Sequence, residues 1–558
     1  MKKFLILCAA ALTALAACNK PDPVPDPDEV KLTTDALVNV GAASEIVTIK
    51  FTSNVAWTAS VAEDFVSLNK KAGDAGEAEV KATLQSLPED VRGRSATVKI
   101  TAGTASAEVV INQGIIFLIT PDYLEAGIAG GKFSFKVISN TEYSVKTYDS
   151  FDWAPATFDQ ATGEGSFTVA KNEGYDLRTA YVKFTVPAIQ DPVLDEETGE
   201  PTGETEDHVA RIYLYQEGNA KQAWAKSLPA DFSVANTDEP VHDATVSIAL
   251  FNGKILVCDA TKVYSADPAT GTVSTLALPE GLPVQSIAND DAGNLLLADL
   301  IPYGGVGKIY AVKAGDASLA NPKLLIPFVN DAWSGSRGAD KVAARGDVYG
   351  NGVVTMIYGG VGSYGGATYG LIWEVKDGNA PVVAYNEWNN TTNQAKGWFT
   401  MPALTDDLWL SNRAVFVPAG PAVSDGFFYG GYDGLYNIYY HDGTDWNAVV
   451  PEVGNWAYAP NGMATTTWNG KKILACVNMA YFPEWGMPSQ LLIVDVTNPK
   501  QPNVLSTTEY VNSDETFVTG AQESSTTSVV LQVEGDNLNA FVVDSAWGLV
   551  FKMTYPKL

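Results

Sequence analysis

The sequence predicts an all-β protein: two β-sandwiches in tandem, then a β-propeller that is most simply six-bladed. Three observations predict this. First, between residues 241 and 558 an apolar run followed by a turn recurs six times, as Lys262-Val-Tyr-Ser-Ala-Asp, Lys308-Ile-Tyr-Ala-Val-Lys, Leu371-Ile-Trp-Glu-Val-Lys, Leu435-Tyr-Asn-Ile-Tyr-Tyr, Leu491-Leu-Ile-Val-Asp-Val and Leu549-Val-Phe-Lys-Met-Thr. A repeat of roughly 40–65 residues holding several short strands is the pattern of a propeller blade. Second, residues 31–217 repeat in tandem: Val47-Thr-Ile-Lys-Phe-Thr-Ser-Asn54 matches Phe133-Ser-Phe-Lys-Val-Ile-Ser-Asn140, and Arg94-Ser-Ala-Thr-Val-Lys-Ile-Thr101 matches Arg178-Thr-Ala-Tyr-Val-Lys-Phe-Thr185. Third, both copies alternate apolar and polar residues and close alike, at Ile111-Asn-Gln-Gly114 and Tyr215-Gln-Glu-Gly218. Alternation with turns every 8–12 residues argues for sandwiches.

The first 17 residues read as a secretory signal, with basic Met1-Lys-Lys, an apolar run from Phe4 to Ala17, and small residues before Cys18. The apolar run is too short to span a bilayer. Leu15-Ala16-Ala17-Cys18 resembles the lipobox of bacterial lipoproteins. That resemblance implies cleavage before Cys18 and lipidation of its thiol, so the membrane would be met through the lipid anchor alone. Residues 18–30 alternate Pro and Asp, which favours an extended, self-repelling tether. An acidic stretch after the lipidated Cys also resembles the export signal of surface lipoproteins in Bacteroidota. The implied location is the outer membrane, lipid-anchored, facing the cell exterior.

The two sandwiches, 31–115 and 116–218, resemble the BACON domain, an Ig-like module of Bacteroidota surface proteins. In the first copy the resemblance rests on Ser53-Asn54-Val-Ala-Trp57, Phe65-Val66, Arg94-Ser-Ala-Thr-Val and Asn112-Gln113-Gly114. The second departs: Tyr143 stands for Trp57, and an acidic insertion from Asp191 to Asp207 interrupts its last hairpin. Both aromatics are expected as core anchors and both modules as spacers.

Residues 219–558 form the predicted propeller. Its second strands are expected at Lys254–Cys258, Asn294–Ala298, Val353–Ile357, Phe427–Gly430, Lys472–Cys476 and Leu538–Val543, its third strands at the six quoted runs. Fourth strands are expected at Val273–Leu278, Lys323–Phe328, Pro381–Tyr385, Asn447–Val450 and Asn503–Thr508. The last blade has no room for one, and Ala223-Trp-Ala-Lys-Ser-Leu228 can fill the place, removing an exposed edge. The fourth repeat is the least regular, which leaves seven blades as the alternative. Segments such as Gly293-Asn-Leu-Leu-Leu-Ala-Asp299 resemble strands of NHL-like and YVTN-like propellers. That resemblance implies fold, not function.

Composition narrows the partners. The chain carries 36 Lys+Arg against 65 Asp+Glu, a formal charge of −29, which repels phosphate backbones and argues against nucleic acid. Only three His are present, which argues against His-rich metal sites and Ser-His-Asp catalysis. Cys258 and Cys476 fall in repeats that are not neighbours, so two buried thiols are expected rather than a bridge.

In a meander blade the connections between second and third strands, and between blades, emerge on one face. Those loops hold most of the unusual aromatics, while the opposite turns are plain polar ones. Tyr and Trp offer apolar area with a polar tip, suited to the C–H face of a sugar. The candidate ligand-binding residues are Trp333, Arg337, Asp340, Tyr364, Trp388, Trp398, Trp456, Trp485 and Trp547, with Asn389, Asn390 and Asn478 as further hydroxyl partners. Trp373, Trp409 and Trp468 lie in strand-like runs and read as core. The glycine-rich stretch from Tyr358 to Gly370 lacks the Gly-Lys-Ser/Thr ending of a phosphate loop. Asp259, Asp299 and Asp544 end second strands, either as Asx turns or as an acidic ring able to hold Ca²⁺ or act as a glycosidase pair. No catalytic residue and no resident cofactor is assigned.

The expected function is therefore a non-catalytic glycan-binding surface lipoprotein, taking a polysaccharide or oligosaccharide and working beside a glycan-uptake complex. A propeller glycoside hydrolase or polysaccharide lyase, and a protein-binding surface scaffold, are the alternatives.

Overall fold

The computed structural model describes residues 27–88, 91–195, 198–233, 246–259, 262–282, 285–298, 306–316, 319–329, 336–360, 369–380, 398–400, 415–430, 437–442, 446–450, 458–480, 486–511 and 527–558. They are nearly all β, in ten sheets, with one short α-helix at Leu228–Phe232. That helix starts because the Ser227 hydroxyl accepts the Ala230 N–H at 3.3 Å. The chain divides into two compact units. One comprises residues 1–124, 131–169 and 179–214; the other takes 125–130, 170–178 and 215–558.

In the first unit, the strands of residues 30–114 make a four-stranded and a five-stranded sheet. The inward residues of Glu45–Ser53, Gly76–Leu84, Gly93–Ala102 and Ala105–Gly114 share one core. Trp57 is buried in it, edge-on to Phe51 with centroids 4.9 Å apart, as its place after Ser-Asn predicted. Gly73 is there because a Cβ would meet the Trp57 ring at 2.5 Å. Two further four-stranded sheets contain residues 117–216. Tyr143 takes the equivalent place among Phe117, Phe158 and Phe184, at centroid distances of 5.3, 6.2 and 6.0 Å.

The second unit holds six four-stranded antiparallel sheets. Five are meanders of consecutive strands, and second strands fall where the apolar runs placed them, Lys254–Cys258 and Phe427–Gly430 to the residue. The sixth joins Lys221–Ser227 to Leu549–Tyr555, so the strand before the first sheet completes the last. Trp224 in that closing strand donates its indole N–H to the Pro268 carbonyl at 3.1 Å. The described fourth strand of the third sheet is Trp398–Thr400, opposite Tyr369–Leu371; the expected Pro381–Tyr385 lies outside the described residues. All six sheets have a first strand, and the sequence patterns had not located these: Ser247–Phe251, Ser286–Asn289, Ser336–Gly346, Val415–Pro418, Tyr458–Trp468 and Thr527–Glu534.

Apolar clusters lie between successive sheets. Ala249, Leu256 and Cys258 pack on Ile287 and Leu297; Leu296 and Ile309 on Val354 and Trp373; Val353 and Ile372 on Phe416 and Phe427. Phe428 and Tyr440 then pack on Leu474 and Cys476, and Ile473 and Val477 on Leu538 and Val542. Finally Phe541 and Val543 pack on Ile248 and Val257, so the sixth sheet adjoins the first. Sheets buried on both faces explain why the second strands read as continuous apolar runs, and not as alternating ones. Cys258 and Cys476 are buried thiols with no disulfide between them, as their places in non-neighbouring repeats predicted.

Candidate functional site

The first strands position the site. A cavity of about 460 Å³ lies between all six of them, walled by Ile248, Ile287, Val342, Val417, Met463 and Val529. That volume is in the range of small-ligand sites. The cavity extends to the end where the first strands turn into the second, at Asp291, Gly293, Thr467 and Val533.

Its polar rim is a connected network. Arg345 Nε donates to Asp291 Oδ1 at 2.7 Å, and Arg345 Nη1 to Thr465 Oγ1 at 2.6 Å. The Thr465 hydroxyl donates onward to the Pro418 carbonyl at 2.8 Å. Asp291 Oδ2 accepts the Gly346 N–H at 2.8 Å. The network thus links the second, third, fourth and fifth sheets. Arg345 is 12% exposed and Asp291 42%, so the guanidinium is fixed while its partner still meets solvent. Gln532 and Thr467 complete the rim. The next carboxylate, Asp290, is buried and accepts from Asn294 N, Asn294 Nδ2 and Val348 N, each at 2.8 Å. Burial raises its pKa in spite of those bonds. Asp290 shapes the turn; Asp291 and Arg345 face the cavity.

At the other end of the first strands runs a belt of buried polar groups. Ser247 Oγ accepts the Ile287 N–H at 2.9 Å, and Ser286 Oγ the Val342 N–H at 3.0 Å. The Lys341 ammonium donates to both the carbonyl and the side-chain oxygen of Asn461 at 3.0 Å. Asn461 Oδ1 also accepts the Thr527 N–H at 2.6 Å. Lys341 has φ +50° at a register break between Asp340 and Ala343, a bulge that re-aims its side chain. The belt joins five first strands through buried polar groups, in which the Asn461 side-chain nitrogen is left without a partner among the described residues.

The residues chosen from sequence divide as follows. Trp333, Tyr364, Trp388, Trp456, Trp485 and Cys18 lie outside the described residues, as do Asp299, Asn389, Asn390 and Trp409. Arg337 and Asp340 belong to the strand Ser336–Gly346, not to a loop, with Asp340 opposite Ile357. Trp398 opens the strand Trp398–Thr400, opposite Leu371. Trp547 is a correction: it is 4% exposed, packed with Val542 and Phe551, because its turn folds back onto the sheet and buries the ring. Asn478 is buried too, donating to Gln490 Oε1 at 2.9 Å. Trp373 and Trp468 are core, as read.

The carboxylates ending second strands take the Asx reading where they are described. Asp259 Oδ1 accepts the Lys262 N–H at 2.7 Å. Asp544 Oδ1 accepts Ala546 N at 2.8 Å and Trp547 N at 3.1 Å, and its Oδ2 accepts the Tyr510 hydroxyl at 2.7 Å. Sequence reasoning missed Arg345 and Asp291 because it left the first strands unassigned. A signal was present in Asp290-Asp291-Ala-Gly293, a turn sequence directly before a predicted second strand.

Comparison with known proteins places the chain. Its described fold is that of an all-β protein with a BACON module: residues 55–114 match the BACON family, described as "Putative binding domain, N-terminal". Residues 255–551 match the family DUF8500, described as "Domain of unknown function", and the chain belongs to that family. No curated protein matches. Among solved structures, a DUF4623 family protein from Bacteroides eggerthii is similar at 11% identity and TM-score 0.40, over 81% of this chain and 96% of that one. A quinonprotein alcohol dehydrogenase-like protein from Bacteroides thetaiotaomicron is similar at 10% identity and TM-score 0.23, over 86% and 96%. A Bacteroides ovatus GH5 xyloglucanase is similar at 18% identity and TM-score 0.15, over 18% of this chain; the chain spans 22% of that enzyme's length.

Proposed function

We propose that this protein is a non-catalytic glycan-binding lipoprotein of the outer-membrane surface, anchored through Cys18, in which Ig-like modules carry a six-bladed β-propeller. The six-bladed reading is supported by six four-stranded sheets, each packed on the next and the sixth on the first, with Lys221–Ser227 completing the last. The single observation that carries the binding reading is the cavity rimmed by Asp291, Arg345 and Thr465. A carboxylate, a guanidinium and hydroxyls held in fixed positions suit the vicinal hydroxyls of a sugar, because each donor and acceptor is already oriented. Asp291 is committed to Arg345, which opposes its use as a general acid and favours binding over hydrolysis.

The test is affinity electrophoresis and calorimetry of the full mature chain against a panel of neutral and acidic polysaccharides, beside a reducing-end assay. Binding of at least one glycan, weakened tenfold or more by Arg345→Ala and without new reducing ends, is expected. Binding to none, or release of reducing ends, would overturn the reading. Ala variants of Trp333, Trp388 and Trp485 should weaken that binding in the same assay.

A further inference from the structure

A second surface lies on the Ig-like module of residues 116–218, well away in sequence from the cavity. In the strand Arg178–Leu194, Ala180, Val182 and Phe184 are buried, so Tyr181 and Lys183 point to the opposite face. In the neighbouring strand Pro201–Gln216, Ile212 and Leu214 are buried, which puts Arg211 and Tyr213 on that face as well. An outward face of an antiparallel sheet is ordinarily polar. This one carries a cluster of partly exposed rings centred on Tyr181, with centroids 4.9 Å from Tyr148, 5.2 Å from Phe151 and 5.7 Å from Tyr213. The module does not need them for its core, which is filled by Phe135, Phe158, Phe167 and Phe184.

Cations frame the rings. Arg211 Cζ is 5.7 Å from the Tyr181 centroid and Lys146 Nζ is 4.9 Å from that of Tyr148. Lys183 is the direct register partner of Lys146. Asp149 and Asp152 lie in the segment between Lys146 and Ala154, and Glu125 points outward on the strand beside Pro201–Gln216, so Lys146, Lys183 and Arg211 balance the three acids of this face, on a chain of formal charge −29. Aromatic faces take the C–H side of pyranose rings, and the ammonium and guanidinium groups complement carboxylates.

We propose that this face binds an acidic oligosaccharide, its sugar rings lying on Tyr181 and its neighbours and its uronate carboxylates meeting Lys146, Lys183 and Arg211. The test is calorimetry of the full mature chain with oligogalacturonate and, as the uncharged probe, cello-oligosaccharide. Oligogalacturonate is expected to bind at least tenfold more tightly, with affinity falling as salt rises. Tyr181→Ala should lower that affinity tenfold or more. Because Tyr181 touches other rings, the double variant Lys183→Gln with Arg211→Gln tests the same site while leaving the ring cluster in place; it should abolish both the preference for the acidic probe and the salt dependence. Arg345→Ala, at the cavity, should leave oligogalacturonate binding by this face unchanged, which separates this proposal from the reading of the cavity. No binding of oligogalacturonate, equal affinity for the two probes, or wild-type affinity in the double variant would overturn it.

Discussion

Arg94 Nε donates to Gln113 Oε1 at 2.9 Å, and the same pair recurs as Arg178 and Gln216 at 2.8 Å. In both modules the glutamine amide then donates to three backbone carbonyls, those of Ala42, Ala43 and Gln85 in the first and of Gly127, Ile128 and Ala170 in the second. The arginine closes over the same loops, Arg94 on Gln85 and Ser86, Arg178 on Ala170 and Lys171. The repeated Arg and Gln of the sequence are thus a lock that satisfies loop carbonyls, and not a binding motif.

Gln113→Ala should therefore destabilise the first sandwich by about 2–3 kcal/mol, since it removes a buried amide that donates to the Ala43 carbonyl and leaves Arg94 Nε without its acceptor. Urea unfolding followed by Trp57 fluorescence measures this. A change under about 0.5 kcal/mol would mean that water replaces the amide without loss.

Trp547 is a packing residue. Trp547→Ala should cost about 3–5 kcal/mol by leaving a cavity in the cluster around Val542 and Phe551. Thermal unfolding reads the loss, and glycan affinity measured below the transition should be that of the wild type. A selective loss of affinity with unchanged stability would return Trp547 to the binding face.

Asp544 makes stability depend on pH. Burial holds its pKa above the ordinary carboxylate value. The native state therefore keeps a proton that the unfolded chain gives up near pH 3.9. Its contribution to stability is present below that pH and is lost as pH rises toward the folded pKa. Asp544→Asn keeps an acceptor for the Ala546 and Trp547 amides and removes the titration. Unfolding free energy followed from pH 3.5 upward should decline less steeply in the variant, and identical slopes would exclude the effect.

The thiols of Cys258 and Cys476 are buried, and burial pushes the Cys476 thiol well above its ordinary pKa. Neither should react with a thiol-specific disulfide reagent in the native protein, and both should react fully in denaturant. Rapid native labelling of either would contradict the packing of Cys258 on Ile287 or of Cys476 on Phe428.

Much of the strand layout was legible because burial writes local patterns. Phe427–Gly430 and Lys254–Cys258 are apolar runs bounded by turns, and a strand covered on both faces has no other composition. The Trp57 anchor and the closing strand before Leu228 were legible for similar reasons, since both are needs of a sheet that the nearby residues meet. The first strands were not. Ser336–Gly346 mixes Arg, Asp, Lys and Gly with apolar residues, and within it Lys341 serves the polar belt while Arg345 lines the cavity, so no single period survives. Arg345 met Asp291 and Thr465 only through pairing of sheets far apart in sequence.

By itself the sequence determined the all-β class, the tandem modules, the places of most strands and the lack of a bridge between Cys258 and Cys476. These follow from turn chemistry and hydrophobic periodicity, which act over a few residues. Tertiary structure alone decided that Trp547 is core, that Arg345 and Asp291 share a cavity, and that Tyr148, Tyr181 and Tyr213 meet on one face. Those outcomes depend on which strands lie side by side, and side-chain neighbours across sheets leave no periodic trace in the chain.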